Sequence, residues 1–122
     1  MRTVFHVSTV GQLSYVDAKV TNLFGDDAVP VDAVAVVVDT PAVIDAAAEG
    51  DGRERVEAVL AAGGGGDDTD GAGTQTAVRV CSNALRGATA TLDELPAGVE
   101  AASSGVGELT RLQGDGWAYI RP

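Results

Sequence analysis

Cysteine, histidine and aromatic residues are scarce in this chain of 122 residues, which has one Cys, one His, one Trp, two Tyr and two Phe. One cysteine cannot form an intramolecular disulfide, and no set of Cys and His residues has the spacing of a zinc site. No stretch reaches the roughly 18 apolar residues of a membrane-spanning helix, and the first residues lack the pattern of a signal peptide. These absences exclude a disulfide-stapled secreted fold and indicate a cytoplasmic protein.

Positive charge is also scarce, because eight basic residues face eighteen acidic ones and the net charge is −10. A surface of this sign repels nucleic-acid phosphates and anionic lipid heads, so we expect neither nucleic acid nor a membrane as a partner. Seven of the eight basic residues are Arg, and twelve of the eighteen acidic residues are Asp. This composition resembles that of halophilic proteins, and it predicts lower stability in low salt, where the acidic groups are poorly screened from one another.

Apolar residues make up 45% of the chain, which is too much for a disordered acidic segment and enough for one hydrophobic core. We therefore predict a single domain over residues 1–122. Residues 63–76 are rich in Gly and Asp and can bury almost no apolar surface, so they are predicted to form a flexible acidic loop.

Hydrophobic periodicity alternates between strand-like and helix-like segments along the chain. Strands are predicted at residues 3–9, 31–38, 77–81, 99–102 and 117–120. Helical segments are predicted between Gly11 and Gly25, at 41–48, at 53–62, from Ser82, for one turn from Thr91 to Glu94, and after Ser103 or Ser104. This alternation predicts an α/β fold, a three-layer α/β/α sandwich with a mostly parallel five-stranded sheet.

Cys81 stands at the predicted carboxyl end of the third strand, where open α/β sheets place their ligands. The backbone amides of the following turn would favour a thiolate over a thiol, and a thiolate can carry or transfer sulfur. The alternative is a buried structural cysteine, since cysteine is among the residue types most often found in the interior. The residues alone leave both interpretations open.

Three further polar residues are candidates for the same site. Asn83 could donate its side-chain amide to the sulfur or to a ligand, or it could be a turn residue that bonds its own backbone. His6 has no second His and no neighbouring carboxylate in sequence, which favours a core or interface position over a ligand or a base. Asn22 lies off the apolar stripe of the first helix, so its position alone predicts a solvent-facing residue.

Other chemistries have no support in the pattern. The segment 63–73 lacks the Gly-Lys-Ser/Thr ending of a phosphate-binding loop, and its Asp residues would repel phosphate. Asp68, Asp70 and Gly71 lack the regular acid spacing and the closing Glu of a calcium loop. Gly-x-Ser-x-Gly is absent, so a serine hydrolase is not indicated.

Several short segments of the second half of the chain, and more loosely the N-terminal strand with His6, resemble the DsrE/DsrF-like family. The segments are 80–85 (VCSNAL), 95–99 (LPAGV), 104–109 (SGVGEL), 112–113 (LQ) and 116–122 (GWAYIRP). The resemblance implies an α/β/α sandwich that assembles as a homotrimer or homohexamer, with relatives that carry persulfides in sulfur relays. It also implies that Cys81 is the family cysteine, that Asn83 belongs to its C-x-N motif, and that His6 and Asn22 line the strand ends.

Two departures from the family pattern bear on the chemistry. Ala84 stands where many relatives have a hydroxyl residue, and this removes a potential donor to the sulfur. Asp39-Thr40 stands where relatives often have His-Gly, and a carboxylate near the strand ends would raise the pKa of the thiol.

The leading hypothesis is a cytoplasmic sulfur carrier or sulfurtransferase-like protein that holds sulfane sulfur as a persulfide on Cys81, exchanges it with donor and acceptor proteins, and needs no metal or organic cofactor. The alternative is a non-enzymatic oligomer that binds a small ligand or a protein, with Cys81 as a packing residue.

Overall fold

The computed structural model describes residues 1–63 and 75–122, which form alternating strands and helices. The strands are Arg2–Val7 (β1), Ala33–Val38 (β2), Gln75–Cys81 (β3), Glu100–Ala102 (β4) and Ala118–Ile120 (β5). The helices are Val10–Phe24 (α1), Pro41–Ala47 (α2), Gly50–Ala62 (α3), Ser82–Gly87 (α4) and Gly105–Gly114 (α5), with a 3₁₀ turn at Leu92–Glu94.

The strands form a parallel sheet in the order β4-β3-β2-β1-β5. β1 and β2 are buried on both faces because helices cover both sides of them. The register pairs Val7 with Val38 and Val38 with Val80, so β1, β2 and β3 end side by side. The predicted α/β/α sandwich with a mostly parallel five-stranded sheet is confirmed.

Two hydrophobic clusters lie on opposite faces of the sheet. The larger one packs α1, α2, α3 and α4 against side chains such as Phe5 and Val36. The smaller one packs Leu109 and Leu112 of α5 against Val4 and Val37. One face is therefore covered by four helices, whereas α5 is the helix that packs on the other among the described residues.

Several predicted boundaries need correction. α3 ends at Ala62 with Gly63 as its cap, as predicted, but β3 begins at Gln75, two residues before the predicted start, and residues 64–74 lie outside the described residues. α3 begins at Gly50 rather than at residue 53, because glycine allows a tight corner after α2. Gly50 has a φ of 62°, and a Cβ on Gly52 would collide with the carbonyl of Ala46.

The predicted helix caps are present. The Thr91 and Glu94 side chains form a reciprocal capping box around the 3₁₀ turn. Of the two serines considered for the last helix, Ser104 is its cap, and its hydroxyl accepts from the Gly107 amide at 3.0 Å. Within residues 1–63 and 75–122, we find no helix with the length and apolar character to cross a bilayer.

Candidate functional site

The carboxyl ends of the three central strands bring polar residues from distant parts of the chain together. His6 lies near the end of β1, Asp39 directly follows β2, and Cys81 ends β3. Because β2 lies between β1 and β3, Asp39 comes between the other two along this edge. Parallel sheets place their reactive side chains at such carboxyl ends.

Cys81 is both the last residue of β3 and the N-cap of α4, so no loop separates the strand from the helix. The backbone amides of Asn83 and Ala84 at the start of α4, and of Gly105 at the start of α5, lie close enough to the sulfur to stabilise the thiolate and lower the pKa of the thiol. These amides have no carbonyl partner within their own helices, because each lies in a first turn. Three N–H dipoles from two helices therefore converge on one sulfur atom.

Two opposing effects act on the pKa of the Cys81 thiol. Burial raises it, since the residue is only 7% exposed, and the charge of Asp39 also raises it. The three backbone amides lower the pKa by stabilising the thiolate, and their combined effect leaves it below the ordinary value of 9.0. The Asp39 carboxylate thus raises the pKa of the thiol, as expected from the sequence, but the net pKa still lies below 9.0.

Gly105 packs closely against both Asp39 and Cys81. A Cβ on this residue would lie 2.9 Å from the Cβ of Asp39 and 3.4 Å from the Cβ of Cys81. The first distance is shorter than real contacts allow, so only glycine lets the α5 backbone approach closely enough for its amide to reach the sulfur.

His6 is 8% exposed and is hydrogen-bonded on both ring nitrogens. Its Nε2 lies 2.6 Å from Oδ2 of Asp39, and the hydroxyl of Ser8 lies 3.1 Å from the same nitrogen. Its Nδ1 lies 2.6 Å from the hydroxyl of Tyr119 in β5. The only histidine of the chain is therefore held rigidly between β2 and β5.

The donor and acceptor chemistry assigns the tautomer of His6. The Arg121 guanidinium, which is only a donor, donates to the Tyr119 hydroxyl at 3.2 Å. That hydroxyl can then donate its own proton to Nδ1, which leaves the imidazole proton on Nε2, where it is donated to Asp39. The chain of donors runs from Arg121 through Tyr119 and His6 to Asp39.

One oxygen of the site lacks a partner. Oδ1 of Asp39 is buried and accepts no hydrogen bond from any described residue, whereas Oδ2 is bonded to His6. A buried carboxylate oxygen left without a donor is uncommon in folded proteins and calls for an explanation.

The structure corrects the proposed role of the Asn83 side chain. Asn83 is exposed, and its side-chain oxygen accepts from Arg86 one turn later in α4. Its contribution to the sulfur is the backbone amide. Ala84 supplies an amide in the same way, so the missing hydroxyl at this position does not leave the sulfur without donors.

The expectation that Asn22 lines the strand ends is also corrected. α1 starts at Val10, immediately after β1, and runs back along the sheet for 15 residues, a length of about 22 Å. Asn22 is an exposed residue on its last turn, at the opposite edge of the sheet from Cys81. His6, in contrast, does lie at the carboxyl edge, beside Asp39.

Tyr119, Arg121, Ser8 and Gly105 are residues of this site that the sequence did not single out. Tyr119 and Arg121 reach His6 only because β5 pairs with β1, which lies more than 110 residues earlier. The sequence did contain a signal for these residues, because every parallel strand places the residues near its carboxyl end at this edge of the sheet. Within the described parts of the chain, no three His, Cys, Asp or Glu side chains are grouped to hold a metal.

Comparison with known proteins supports the architecture. No family model and no curated protein matches the chain. A solved structure of a protein of unknown function, MTH1491 from Methanobacterium thermoautotrophicum, is similar to it. The TM-score is 0.77 at 29% sequence identity, over 99% of this chain and 98% of that one. The likeness extends through the whole fold and carries no assigned activity, so the DsrE/DsrF-like resemblance stays a prediction.

Proposed function

We propose that this protein is an intracellular sulfur carrier, in which Cys81 accepts sulfane sulfur as a persulfide and passes it to a second thiol. The observation that supports this most is the convergence of the Asn83, Ala84 and Gly105 amides on the Cys81 sulfur. A structural cysteine needs no such set of donors, whereas a nucleophile and leaving group benefits from a stabilised thiolate.

The chemistry is a reversible transfer of neutral sulfur between thiols. For loading, the Cys81 thiolate attacks the outer sulfur of a donor R–S–SH. A new S–S bond forms on Cys81, the donor S–S bond breaks, and R–S⁻ leaves. For unloading, an acceptor thiolate attacks the outer sulfur on Cys81, and Cys81 departs as the thiolate that the three amides stabilise. No external oxidant or reductant is consumed, and no metal or organic cofactor takes part.

The remaining residues of the edge would orient the reacting sulfur. Asp39 is fixed by His6, and His6 is fixed in turn by Tyr119 at 2.6 Å, so the carboxylate keeps a constant position beside the thiol. The donor and acceptor of the sulfur would be other thiol proteins or small thiols. We also propose a cytoplasmic location, because free thiols persist in that compartment.

Self-association into trimers or hexamers is part of this proposal. Val106 at the start of α5 is 72% exposed, and the edge strand β5 leaves Tyr119 and Ile120 partly exposed. Apolar surface and an open strand edge favour a contact between subunits. Light scattering in high salt should give a mass of three or six chains, and a monomer at micromolar concentration would contradict this part of the proposal.

The central test is sulfur uptake by the single cysteine. The native protein is incubated with a persulfide donor, and intact-mass spectrometry should show one added sulfur atom, which reduction removes. Cys81→Ser should gain none. Ser103→Ala, which changes an exposed serine outside the described contacts of the site, is the matched control and should load like the wild type. Wild-type protein that gains no sulfur under conditions that load a free thiol contradicts the proposal.

The alternative is a binding module in which Cys81 only packs. Its support is the low exposure of Cys81 and its membership of the larger hydrophobic cluster. If this alternative holds, Cys81 in the folded protein should react with iodoacetamide no faster than a free thiol at neutral pH. Cys81→Ala should then be less stable than wild type, and neither protein should transfer sulfur.

A further inference from the structure

A cavity of about 250 Å³ lies on the α5 face of the sheet, away from the site of Cys81. Its walls come from the last turns of α5, from Trp117, and from the beginnings of β1, β2 and β3, which the register places side by side. Three of the seven arginines of the chain, Arg2, Arg79 and Arg111, line this cavity. In a protein with a net charge of −10, they form a local concentration of positive charge.

The three arginines form a row along α5. Arg79 donates to the carboxylate of Glu108 at 2.6 Å, and Arg2 donates to the backbone carbonyl of Asp115 at 2.6 Å. Glu108 and Asp115 are seven residues apart, which corresponds to about 10 Å along a helix. Arg111 lies between them, 2.8 Å from Glu108 and 4.0 Å from Asp115. The contacts therefore hold the guanidinium groups apart in the order Arg79, Arg111, Arg2.

The neighbouring carboxylates only partly neutralise this row. Oε2 of Glu108 accepts from both Arg79 and Arg111, so one buried negative charge serves two guanidinium groups. The other two acids are exposed, and Glu100 lies 3.6 Å from Arg79 while Asp115 lies 4.0 Å from Arg111. Exposed pairs of this kind are weak, so they leave the guanidinium groups able to bind an anion.

Arg2 is the arginine of the row with most donors to spare. Within residues 1–63 and 75–122 it forms no ion pair; its guanidinium donates to the carbonyl of Asp115 and lies 5.5 Å from the centre of the Trp117 ring. A guanidinium has five N–H donors, so most of them stay available for a ligand. Trp117 and Leu112 supply apolar surface to the same cavity.

We propose that this cavity binds a small dicarboxylate, whose two ends pair with Arg79 and Arg2 and whose carbon chain lies along Leu112 and Trp117. Arginine and carboxylate groups form strong, charge-assisted pairs. A compact anion such as phosphate does not reach both ends of a row about 10 Å long. The volume of about 250 Å³ is below the range of roughly 300–1,000 Å³ that is typical for drug-sized ligands, which favours a short chain. This site does not depend on the proposed sulfur chemistry.

The test measures the binding of four anions to the intact protein by isothermal titration calorimetry, at neutral pH and one fixed ionic strength. Adipate has a carboxylate at each end of a six-carbon chain, hexanoate has one carboxylate on the same chain, succinate is shorter, and inorganic phosphate is compact. We expect one adipate per chain, bound about tenfold more tightly than hexanoate and more tightly than succinate or phosphate. Because Trp117 is the only tryptophan, adipate should also change the intrinsic fluorescence with the same midpoint.

Variants assign the binding to the row. Arg2→Gln should reduce the affinity for adipate to about that for hexanoate, because one carboxylate loses its partner. Asp115→Asn removes a negative charge from the cavity wall and should strengthen adipate binding about two- to fivefold. Arg86→Gln, which removes an exposed guanidinium on α4 that donates to Asn83, is the matched control and should bind adipate like the wild type.

The inference is overturned if the wild type binds adipate no more tightly than hexanoate, or binds phosphate more tightly than adipate. It is also overturned if Arg2→Gln keeps the wild-type affinity. Should Arg2→Gln not fold, Asp115→Asn decides, because purely structural arginines predict no gain in adipate affinity from that change. None of these results affects sulfur uptake by Cys81, so the proposed function is tested separately.

Discussion

Nε2 of His6 and Oδ2 of Asp39 lie 2.6 Å apart, and they connect the ends of β1 and β2 beside the sulfur of Cys81. The pair is anchored from the other side by Tyr119, so the carboxylate does not swing freely toward the thiol. Asp39 therefore acts on Cys81 as a fixed charge. Its effect on the thiol can be separated from that of the backbone amides by substitution.

Asp39→Asn should lower the pKa of Cys81. The Asp39 charge raises this pKa, so its removal favours the thiolate, while the Asn side-chain oxygen can still accept from His6. At pH values below the folded pKa of wild-type Cys81, alkylation by iodoacetamide should then be roughly two- to tenfold faster than in wild type. The pH profile of the alkylation rate measures the shift, with Asp27→Asn as the control. A profile displaced to higher pH would contradict the assigned direction.

The lowered pKa of Cys81 predicts a pH-dependent stability. The thiol ionises at lower pH in the folded protein than at its ordinary value of 9.0, so between these two values the folded state binds fewer protons than the unfolded state. The free energy of unfolding of wild type relative to Cys81→Ser should rise across this interval, stay constant above it, and lose this contribution as the pH falls through the folded pKa. Urea unfolding of both proteins at a series of pH values measures the difference. A difference that falls with rising pH would show that burial outweighs the amides.

Gly105→Ala should damage the site and the fold together. Its Cβ would lie 2.9 Å from the Cβ of Asp39, so the start of α5 must move away, and the amide directed at Cys81 moves with it. We expect a loss of about 1–3 kcal/mol in the free energy of unfolding, as in other overpacked sites, together with slower sulfur uptake.

Gly114→Ala is the matched control, because nothing lies within 4 Å of a Cβ at that end of the same helix. It should be neutral or stabilising by up to about 1 kcal/mol. If Gly105→Ala and Gly114→Ala have equal free energies of unfolding, the close approach of α5 to Asp39 at Gly105 does not constrain the fold.

Glu108→Gln should destabilise the α5 face. Glu108 is 8% exposed, and its Oε2 lies 2.6 Å from Arg79 and 2.8 Å from Arg111. Burial raises the pKa of this carboxyl, but the two guanidinium groups lower it more, so the net pKa lies below 4.5. The neutral amide gives up both charged pairs, and we expect a loss of about 1–3 kcal/mol near neutral pH.

The stability difference between wild type and Glu108→Gln should also depend on pH. A carboxyl with a lowered folded pKa contributes stability that is complete above 4.5 and disappears as the pH falls through the folded value. The difference between wild type and Glu108→Gln should therefore shrink in acid. Glu57→Gln, at an exposed ion pair with Arg53, is the comparison and should change stability by less than about 1 kcal/mol at any pH.

The strand and helix order, and with it the position of Cys81, could be predicted from hydrophobic periodicity. Residues such as Val34 to Val38 are apolar on both strand faces, and Leu13, Val16 and Val20 follow a helical stripe. Parallel strands separated by helices place Cys81 at the carboxyl edge whatever the strand order. The sulfur and the α4 amides of Asn83 and Ala84 follow from that local pattern, whereas the amide of Gly105 comes from a distant helix and could not be predicted in this way.

The partners of His6 could not be predicted in the same way. Its contacts with Asp39 and Tyr119 depend on β2 and β5 both pairing with β1, and periodicity does not determine strand order. Asn22 illustrates the opposite case. The direction of a helix between two parallel strands already places its last turn at the far edge of the sheet, so the topology was a better guide than the family resemblance.

Arg121 donates to Tyr119 one residue before the C-terminal Pro122, and this has a practical consequence for handling the protein. An affinity tag fused directly after Pro122 would lie next to the contacts of Arg121 and Tyr119 that hold His6 in place. A tag at the opposite terminus would at most disturb the exposed contact of the Met1 amine with Asp32, at the far edge of the sheet. Labels and immobilisation handles therefore belong ahead of Met1.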